Sequence, residues 1–419
     1  MHFEILDPSP LVDAPVGFKV AGVPQESRVE VTAVWAHQNV RFAASGHFVA
    51  TSNGIVDPAT QPAFAGTYEG VDPFGLWWSA QTGGPIPRPA GLDTLITELS
   101  ARVDGFETAF ATLQRRKIAQ GVRQVEVSDG GLVALFFCPD EQVPLPGVMV
   151  FGGSGGGLEG AETTGALLAS HGFATLAIAY FGMSGLPAGL VEVPLEYLQS
   201  GLRWLLRQPQ VRGPQVGVMG GSRGGELALL LGAHFQEVGA VVAKVPSGVM
   251  WSGFDANGTK PGVSAWTLDG KALPMMPRDN TQMWAAVKAV RPVVLTPAFL
   301  ADLEDTALAR SAEIPVEHTQ GPILLISGRD DAMWPSTPMA EIAVRRARAH
   351  GFRHSITHLS YPDAGHFCAS PPGLPLPTRS IHPVDRLEYV YGGTPHGNAA
   401  ARTDSWNASL LFLRKALSI

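Results

Sequence analysis

Val216-Gly217-Val218-Met219-Gly220-Gly221-Ser222-Arg223-Gly224-Gly225-Glu226-Leu227-Ala228-Leu229-Leu230-Leu231 carries more of the fold than any other stretch of this chain. A short apolar run, of the length of a buried strand, meets a glycine-rich corner and continues into an apolar helical segment. The corner satisfies Gly-x-Ser-x-Gly through Gly220, Ser222 and Gly224. Between a strand and a helix that pattern marks a nucleophile elbow. The serine sits on a strained turn, and a side chain at either flanking glycine would collide with neighbouring backbone. The turn lifts the hydroxyl out of the sheet and leaves the Arg223 amide at a helix N-terminus, where it can stabilise an oxyanion. An idle serine on a glycine-rich turn would read the same way locally, so the flanking sequence has to decide.

Outward from the elbow, the chain from about residue 130 alternates strand and helix. Apolar runs at 132–137, 148–151, 174–180, 241–243 and 323–326 and a strand-like run at 356–361 read as strands, and 195–206 has helical spacing. Such alternation specifies an α/β fold, a mostly parallel sheet covered by helices on both faces. Residues 250–318, rich in Trp, Pro, Met and Gly, show no clear strand and read as a cap inserted over the active-site end of the sheet.

Two further signals fall at strand ends. Gly328-Arg329-Asp330-Asp331 follows the run 323–327, where a carboxylate can orient a histidine. Asp331 is the favoured acid, with Asp330 as a turn or capping residue. Tyr361-Pro362-Asp363-Ala364-Gly365-His366-Phe367 closes the last strand, and His366 is the candidate general base. None of the other eleven histidines sits in a comparable setting. The order Ser222, Asp331, His366 is that of α/β-hydrolases. The glycine loop 152–157 after the 148–151 strand supplies candidates for the second oxyanion donor, the amides of Ser154 and Gly155. A plain flexible loop or a phosphate-binding loop reads similarly, but the Gly-Lys-Ser/Thr ending of a nucleotide P-loop is missing.

Residues 10–95 have a different texture. Val29, Val31, Ala33 and Trp35 would share one strand face; 42–50 reads as a second strand-like run with Ser45-Gly46 as a turn. Leu76-Trp77-Trp78-Ser79 reads as a third strand after an Asp72-Pro73-Phe74-Gly75 turn. These imply a small β-sandwich with an exit linker at 82–89, giving a first domain of 1–115 and a catalytic domain of 116–419. Arg115-Arg116-Lys117 reads as a solvated patch, and Arg345, Arg346 and Arg348 as a solvated helix face or at most a contact for substrate phosphates.

Composition narrows the function classes. Hydrophobic residues make up 45% and charged residues 16%, enough for a large core and against disorder. A net charge of −7 without a basic stripe argues against nucleic-acid binding. The two cysteines, Cys138 and Cys368, lack metal spacing, and Cys368 reads as a structural thiol. The N-terminus has no signal-like run, and no apolar stretch approaches a bilayer's thickness. The expectation is a cytoplasmic enzyme with no cofactor and no metal, acting on a small molecule.

Several stretches together resemble the acyl-coenzyme A thioesterases grouped with bile acid-CoA:amino acid N-acyltransferases. They are residues 151–157 (FGGSGGG), Leu195-Glu196-Tyr197, 213–217, 221–227, Ile314-Pro315-Val316-Glu317, 327–334 (SGRDDAMW), 361–367, Tyr391-Gly392-Gly393, 399–406, and near the N-terminus 72–77 (DPFGLW). The resemblance implies an N-terminal immunoglobulin-like sandwich, a C-terminal α/β-hydrolase and thioester chemistry, with its nucleophile, acid and base on Ser222, Asp331 and His366. Transferring members resemble this chain except for a cysteine nucleophile, so the serine tilts the expectation towards hydrolysis. Conjugation to an amino acid, cleavage of ordinary esters or peptides, and an idle binding scaffold are the competing readings. No residue stands out in the sequence as the fixed cation that an amino-acid acceptor would need for its carboxylate.

Overall fold

The computed structural model describes residues 1–417 apart from 84, 85, 87–90, 104–107, 142, 259–261, 279 and 280. The chain forms two compact units, 1–119 with 371–377, and 120–370 with 378–419.

The first unit is antiparallel β. Strands β1 (His2–Ile5), β2 (Phe18–Ala21), β3 (Arg28–His37), β4 (Val40–Val49), β5 (Ile55–Val56), β6 (Ala65–Gly66), β7 (Leu95–Arg102) and β8 (Ala109–Arg115) form two sheets, β1-β2-β5 and β6-β4-β3-β7-β8. Along β3 the residues Val29, Val31, Ala33 and Trp35 are all buried, as a period of two requires.

Three readings of this unit are corrected. Ser45-Gly46 is not a turn: β4 runs through it, with Ser45 opposite Thr32 and Gly46 opposite Val31. The small residue leaves room for the Phe48 ring, which a Cβ on Gly46 would meet at 2.8 Å. The Trp-rich segment is a one-turn helix, α1 (Gly75–Trp78), not a strand. Asp72 accepts from the Phe74 amide at 2.8 Å and from Trp78 Nε1 at 2.7 Å, so local turn bonds from its side chain outweigh the β preference of tryptophan. The basic cluster is not a solvated patch, because Arg115 and Lys117 are buried. The Arg115 guanidinium lies 4.0 Å from the Trp77 ring centroid and donates to the Gly373 carbonyl; Lys117 donates to the Gly91 carbonyl at 2.8 Å. Within the expected linker, residues 84, 85 and 87–89 lie outside the described residues.

The second unit is α/β. Its sheet comprises β9 (Val122–Val127), β10 (Ala134–Pro139), β11 (Leu145–Phe151), β12 (Ala174–Ile178), β14 (Val211–Gly221), β15 (Val238–Lys244), β18 (Ile323–Gly328) and β19 (Ile356–Tyr361). The spatial order is β9-β10-β12-β11-β14-β15-β18-β19, with β10 antiparallel to both neighbours and all strands from β12 onward parallel. This is the α/β-hydrolase arrangement. Every residue of β12 and β15 is buried, which explains why they are apolar apart from Thr175 and the terminal Lys244. Helices α2 (Ala161–Ser170), α3 (Leu195–Leu206), α4 (Arg223–His234), α8 (Ser336–Ala349) and α9 (Pro395–Ala416) complete the frame. On α8, Arg346 is held by Glu317 through two bonds of 2.7 and 2.8 Å, while Arg345 and Arg348 are exposed.

The segment 250–318 does contain strands, contrary to expectation. β16 (Trp266–Leu268) pairs with β17 (Lys271–Ala272) and with β13 (Val193–Pro194), pieces too short for periodicity to register. Helices α5 (Thr281–Ala289), α6 (Thr296–Leu303) and α7 (Thr306–Ser311) follow, and Trp251, Trp284, Phe299 and Trp334 knit a second apolar cluster. The short ribbon β20 (Arg379–Ile381) and β21 (Glu388–Val390) lies before α9. Among the described residues no helix is long and apolar enough to cross a membrane, and no group of three His, Cys, Asp or Glu side chains could hold a metal.

Candidate active site

Ser222 caps α4 at the end of β14 with φ 60° and ψ −122°, a left-handed conformation that a serine rarely adopts. Its neighbours enforce it. A Cβ on Gly220 would lie 2.3 Å from the Gly224 carbonyl oxygen, and one on Gly224 would lie 2.3 Å from that of Gly152. The Ser222 amide donates to the Lys244 carbonyl at 2.9 Å, while its own carbonyl accepts from Gly225 and Glu226, starting the helix. Arg223 is the first residue of α4, so its amide has no intrahelical acceptor.

Asp331 and His366 come together from the ends of β18 and β19. His366 Nδ1 lies 2.9 Å from Asp331 Oδ2, and both residues are buried. Asp331 Oδ1 accepts from the amides of Met333 and Trp334 at 3.0 and 3.2 Å. Asp330 is exposed. The Tyr391-Gly392-Gly393 stretch ties the two loops together: the Tyr391 carbonyl accepts from the His366 and Ala332 amides, and Gly392 and Gly393 bridge Asp331 and Ala364. The His366 ring stacks at 6.2 Å on Tyr391 and meets Trp334 edge-on. Trp334 and Ser222 line the same cleft; among the described residues the Ser222 hydroxyl makes no hydrogen bond.

The glycine loop also approaches Ser222 itself at Gly153, where a Cβ would stand 3.1 Å from that of Ser222. Ser154 lines the cleft, whereas Gly155 is not among its lining residues. Tyr180, buried beneath, donates to the Gly152 carbonyl at 2.9 Å. Ser154 Oγ is also 3.0 Å from Nε2 of His382, itself buried in the cleft wall with Nδ1 3.6 Å from Asp385. His382 is a cleft residue that the sequence did not single out. His382 lies in an irregular segment whose local sequence carries no periodic signal.

Electrostatics beside the elbow centre on a buried pair. Arg223 Nη1 lies 2.9 Å from Glu226 Oε2, and Trp266 Nε1 donates to Glu226 Oε1 at 2.6 Å. Burial raises the Glu226 carboxyl to about 7 despite the opposing pull of Arg223, and burial lowers the Arg223 guanidinium. Burial likewise pushes the Lys244 ammonium, set over the Trp406 ring, down to about 8. The Cys368 thiol is buried and driven up by that burial, as suits a structural thiol.

The cleft over Ser222 has a volume of about 690 Å³ counting its mouth. Trp251, Phe254, Trp284, Phe299, Trp334 and Tyr389 supply aromatic walls, and Arg278, Lys288 and Asp385 supply charge. Most of these lie in the inserted segment or beyond residue 380, where sequence reading had no purchase. The arrangement can present an apolar group to Ser222.

Two family descriptions match the chain. "Acyl-CoA thioester hydrolase/BAAT N-terminal region" covers residues 13–129, and "BAAT / Acyl-CoA thioester hydrolase C terminal" covers residues 193–419. The Mus musculus peroxisomal succinyl-coenzyme A thioesterase is 31% identical over 418 residues, spanning 97% of this chain and 94% of that protein. Acyl-coenzyme A thioesterase 6 of Mus musculus is 33% identical over 418 residues, with the same 97% and 94% shares. Among solved structures, the acylaminoacyl peptidase of Pyrococcus horikoshii matches with a TM-score of 0.43 and 13% identity, over 91% of this chain and 56% of that one.

Proposed function

The chain belongs to the BAAT/acyl-CoA thioester hydrolase family, and on that premise we propose that it hydrolyses acyl-CoA thioesters with Ser222 as nucleophile, His366 as general base and Asp331 as the acid that orients it. The observation that carries the proposal is the 2.9 Å His366–Asp331 pair set at the same end of the sheet as the strained Ser222 turn. The relatives named above are thioesterases, and that supports the thioester as the bond cleaved.

His366 Nε2 takes the proton as Ser222 Oγ adds to the thioester carbonyl. The oxyanion so formed faces the Arg223 amide and the backbone of the 153–155 loop, with the Ser154 amide as the second donor. Collapse breaks the C–S bond; the coenzyme A sulfur leaves with the proton from His366, and the acyl group stays on Ser222. Water then adds with His366 again as base, and the ester breaks to free acid and the regenerated hydroxyl. Asp331 holds Nδ1–H throughout, which keeps Nε2 free to accept.

Mass spectrometry of the protein quenched during turnover of an acyl-CoA panel tests this. An acyl mass on the Ser222 peptide, absent in Ser222→Ala, is the expected result. Thiol release by a folded Ser222→Ala variant at near wild-type rate would overturn it.

A further inference from the structure

Arg278 lines the cleft that contains Ser222, yet among the described residues no carboxylate lies within ion-pair distance of it. It is held only by neutral groups. Nε donates to Ser252 Oγ at 3.1 Å and Nη2 to the Gly253 carbonyl at 2.9 Å. Its guanidinium carbon sits 5.7 Å from the Trp284 ring centroid and 5.9 Å from that of Phe254. Arg223, the other arginine of this wall, is paired with Glu226 at 2.9 Å. Taking a guanidinium out of water without an anion is costly, so proteins rarely do it without a use for the charge.

Among the described residues no carboxylate pairs with Arg278 directly: Asp302 and Glu226 act on it only at a distance, and Glu226 is committed to Arg223. Asp385 is taken up by the Tyr389 hydroxyl, by the Leu387 amide at 3.3 Å and by His382 at 3.6 Å. A second cation is present instead: Lys288 lines the same cleft, and its ammonium has no partner among the described residues. An aromatic-walled cleft with one fixed planar fork and one ammonium suits a flat, singly charged anion.

We propose that Arg278, assisted by Lys288, receives a free carboxylate carried by the molecule processed at Ser222. The proposal rests on the thioester reading of Ser222 given above. The carboxylate could sit at the far end of the acyl chain, making the substrate a dicarboxylic acid joined to coenzyme A through one end. It could also belong to an amino acid that accepts the acyl group. The cleft chemistry is the same for both, and the experiment separates them.

The first arm compares kcat/KM for ω-carboxyacyl-CoA and methyl-ended acyl-CoA of equal carbon count, in wild type, Arg278→Gln and Arg278→Lys, each checked for a cooperative thermal transition. The expected result is that Arg278→Gln lowers the carboxyl-to-methyl ratio by roughly 10- to 100-fold, the worth of a desolvated charge-assisted bond, while Arg278→Lys keeps part of it. A loss shared equally by both substrates would mean that Arg278 serves coenzyme A phosphates and would overturn the proposal, as would an unchanged ratio in all three proteins. The second arm adds glycine and separates the products: N-acylglycine formed by wild type and lost in Arg278→Gln assigns the carboxylate to the acceptor. The third arm needs no turnover. Calorimetric binding of glutarate to wild type, lost in Arg278→Gln, is expected; equal glutarate binding by both would overturn the proposal even if Ser222 proved not to cleave thioesters.

Discussion

His366 and Asp331 meet through Nδ1 and Oδ2 at 2.9 Å, and the second Asp331 oxygen is already held by the Met333 and Trp334 amides. The carboxylate is thus fixed from behind and offers one oxygen to the imidazole. Asp330, one residue earlier, is exposed and points no bond at His366 among the described residues. Asp331→Asn should therefore lower kcat by about 10³- to 10⁴-fold, because the amide favours the wrong imidazole tautomer. Asp330→Asn should stay within about threefold, as surface changes do. Steady-state kinetics of the two folded variants checks this; a reversed ranking would assign the acid to Asp330.

Arg223 and Glu226 form a second close pair, 2.9 Å apart and almost fully buried, on the first turn of the helix that Ser222 caps. Arg223 also donates to the Trp251 carbonyl at 2.9 Å, and Glu226 accepts from Trp266. Removing one partner leaves an uncompensated charge in the core. Arg223→Met should cost about 3–5 kcal/mol of unfolding free energy, and Arg223→Met with Glu226→Leu should recover a good part of it. Urea unfolding of the single and double variants measures the coupling, and simple additivity would show the pair to be independent.

Lys244 gives a prediction in pH. Its ammonium is buried at the end of β15, and burial lowers its pKa from 10.5 to about 8. A cation disfavoured by folding carries its full cost below the folded value, and the cost fades as pH rises from about 8 towards 10.5. Lys244→Met should therefore be more stable than wild type at neutral pH, by up to about 3 kcal/mol. That advantage should shrink steadily above pH 8. Denaturant unfolding at neutral and alkaline pH tests the sign, and a difference that does not change with pH would remove Lys244 from the account.

What the sequence made legible follows from where periodicity is strong. The inner strands of the central sheet read as apolar blocks because both of their faces are covered; β12 and β15 have no exposed residue. The elbow was legible because Gly220 and Gly224 have no space for a side chain. The Trp77 segment misled because its helix is one turn long, too short for a period to show, and is held by the local bonds of Asp72. Arg115 misled because charge suggests solvent, whereas its guanidinium lies against Trp77. The cleft walls were illegible for a related reason. Arg278, His382 and Asp385 come from irregular segments, and only the folded chain brings them to Ser222 and Ser154.

The fate of the acyl group separates hydrolase from transferase. An acyl-Ser222 intermediate is an oxygen ester, less reactive towards amines than the thioester that a cysteine would form. Water needs only access and a base, and His366, oriented by Asp331, is that base. An amine acceptor needs a seat of its own for its carboxylate, and Arg278 would have to provide it. If the acyl chain carries the carboxylate instead, that seat is filled during turnover and the amine has none. Free acid should then be the main product even with millimolar glycine or taurine present. Chromatography of the products after complete turnover checks this, and N-acyl amino acid as the dominant species would make the enzyme a transferase with Arg278 as its acceptor site.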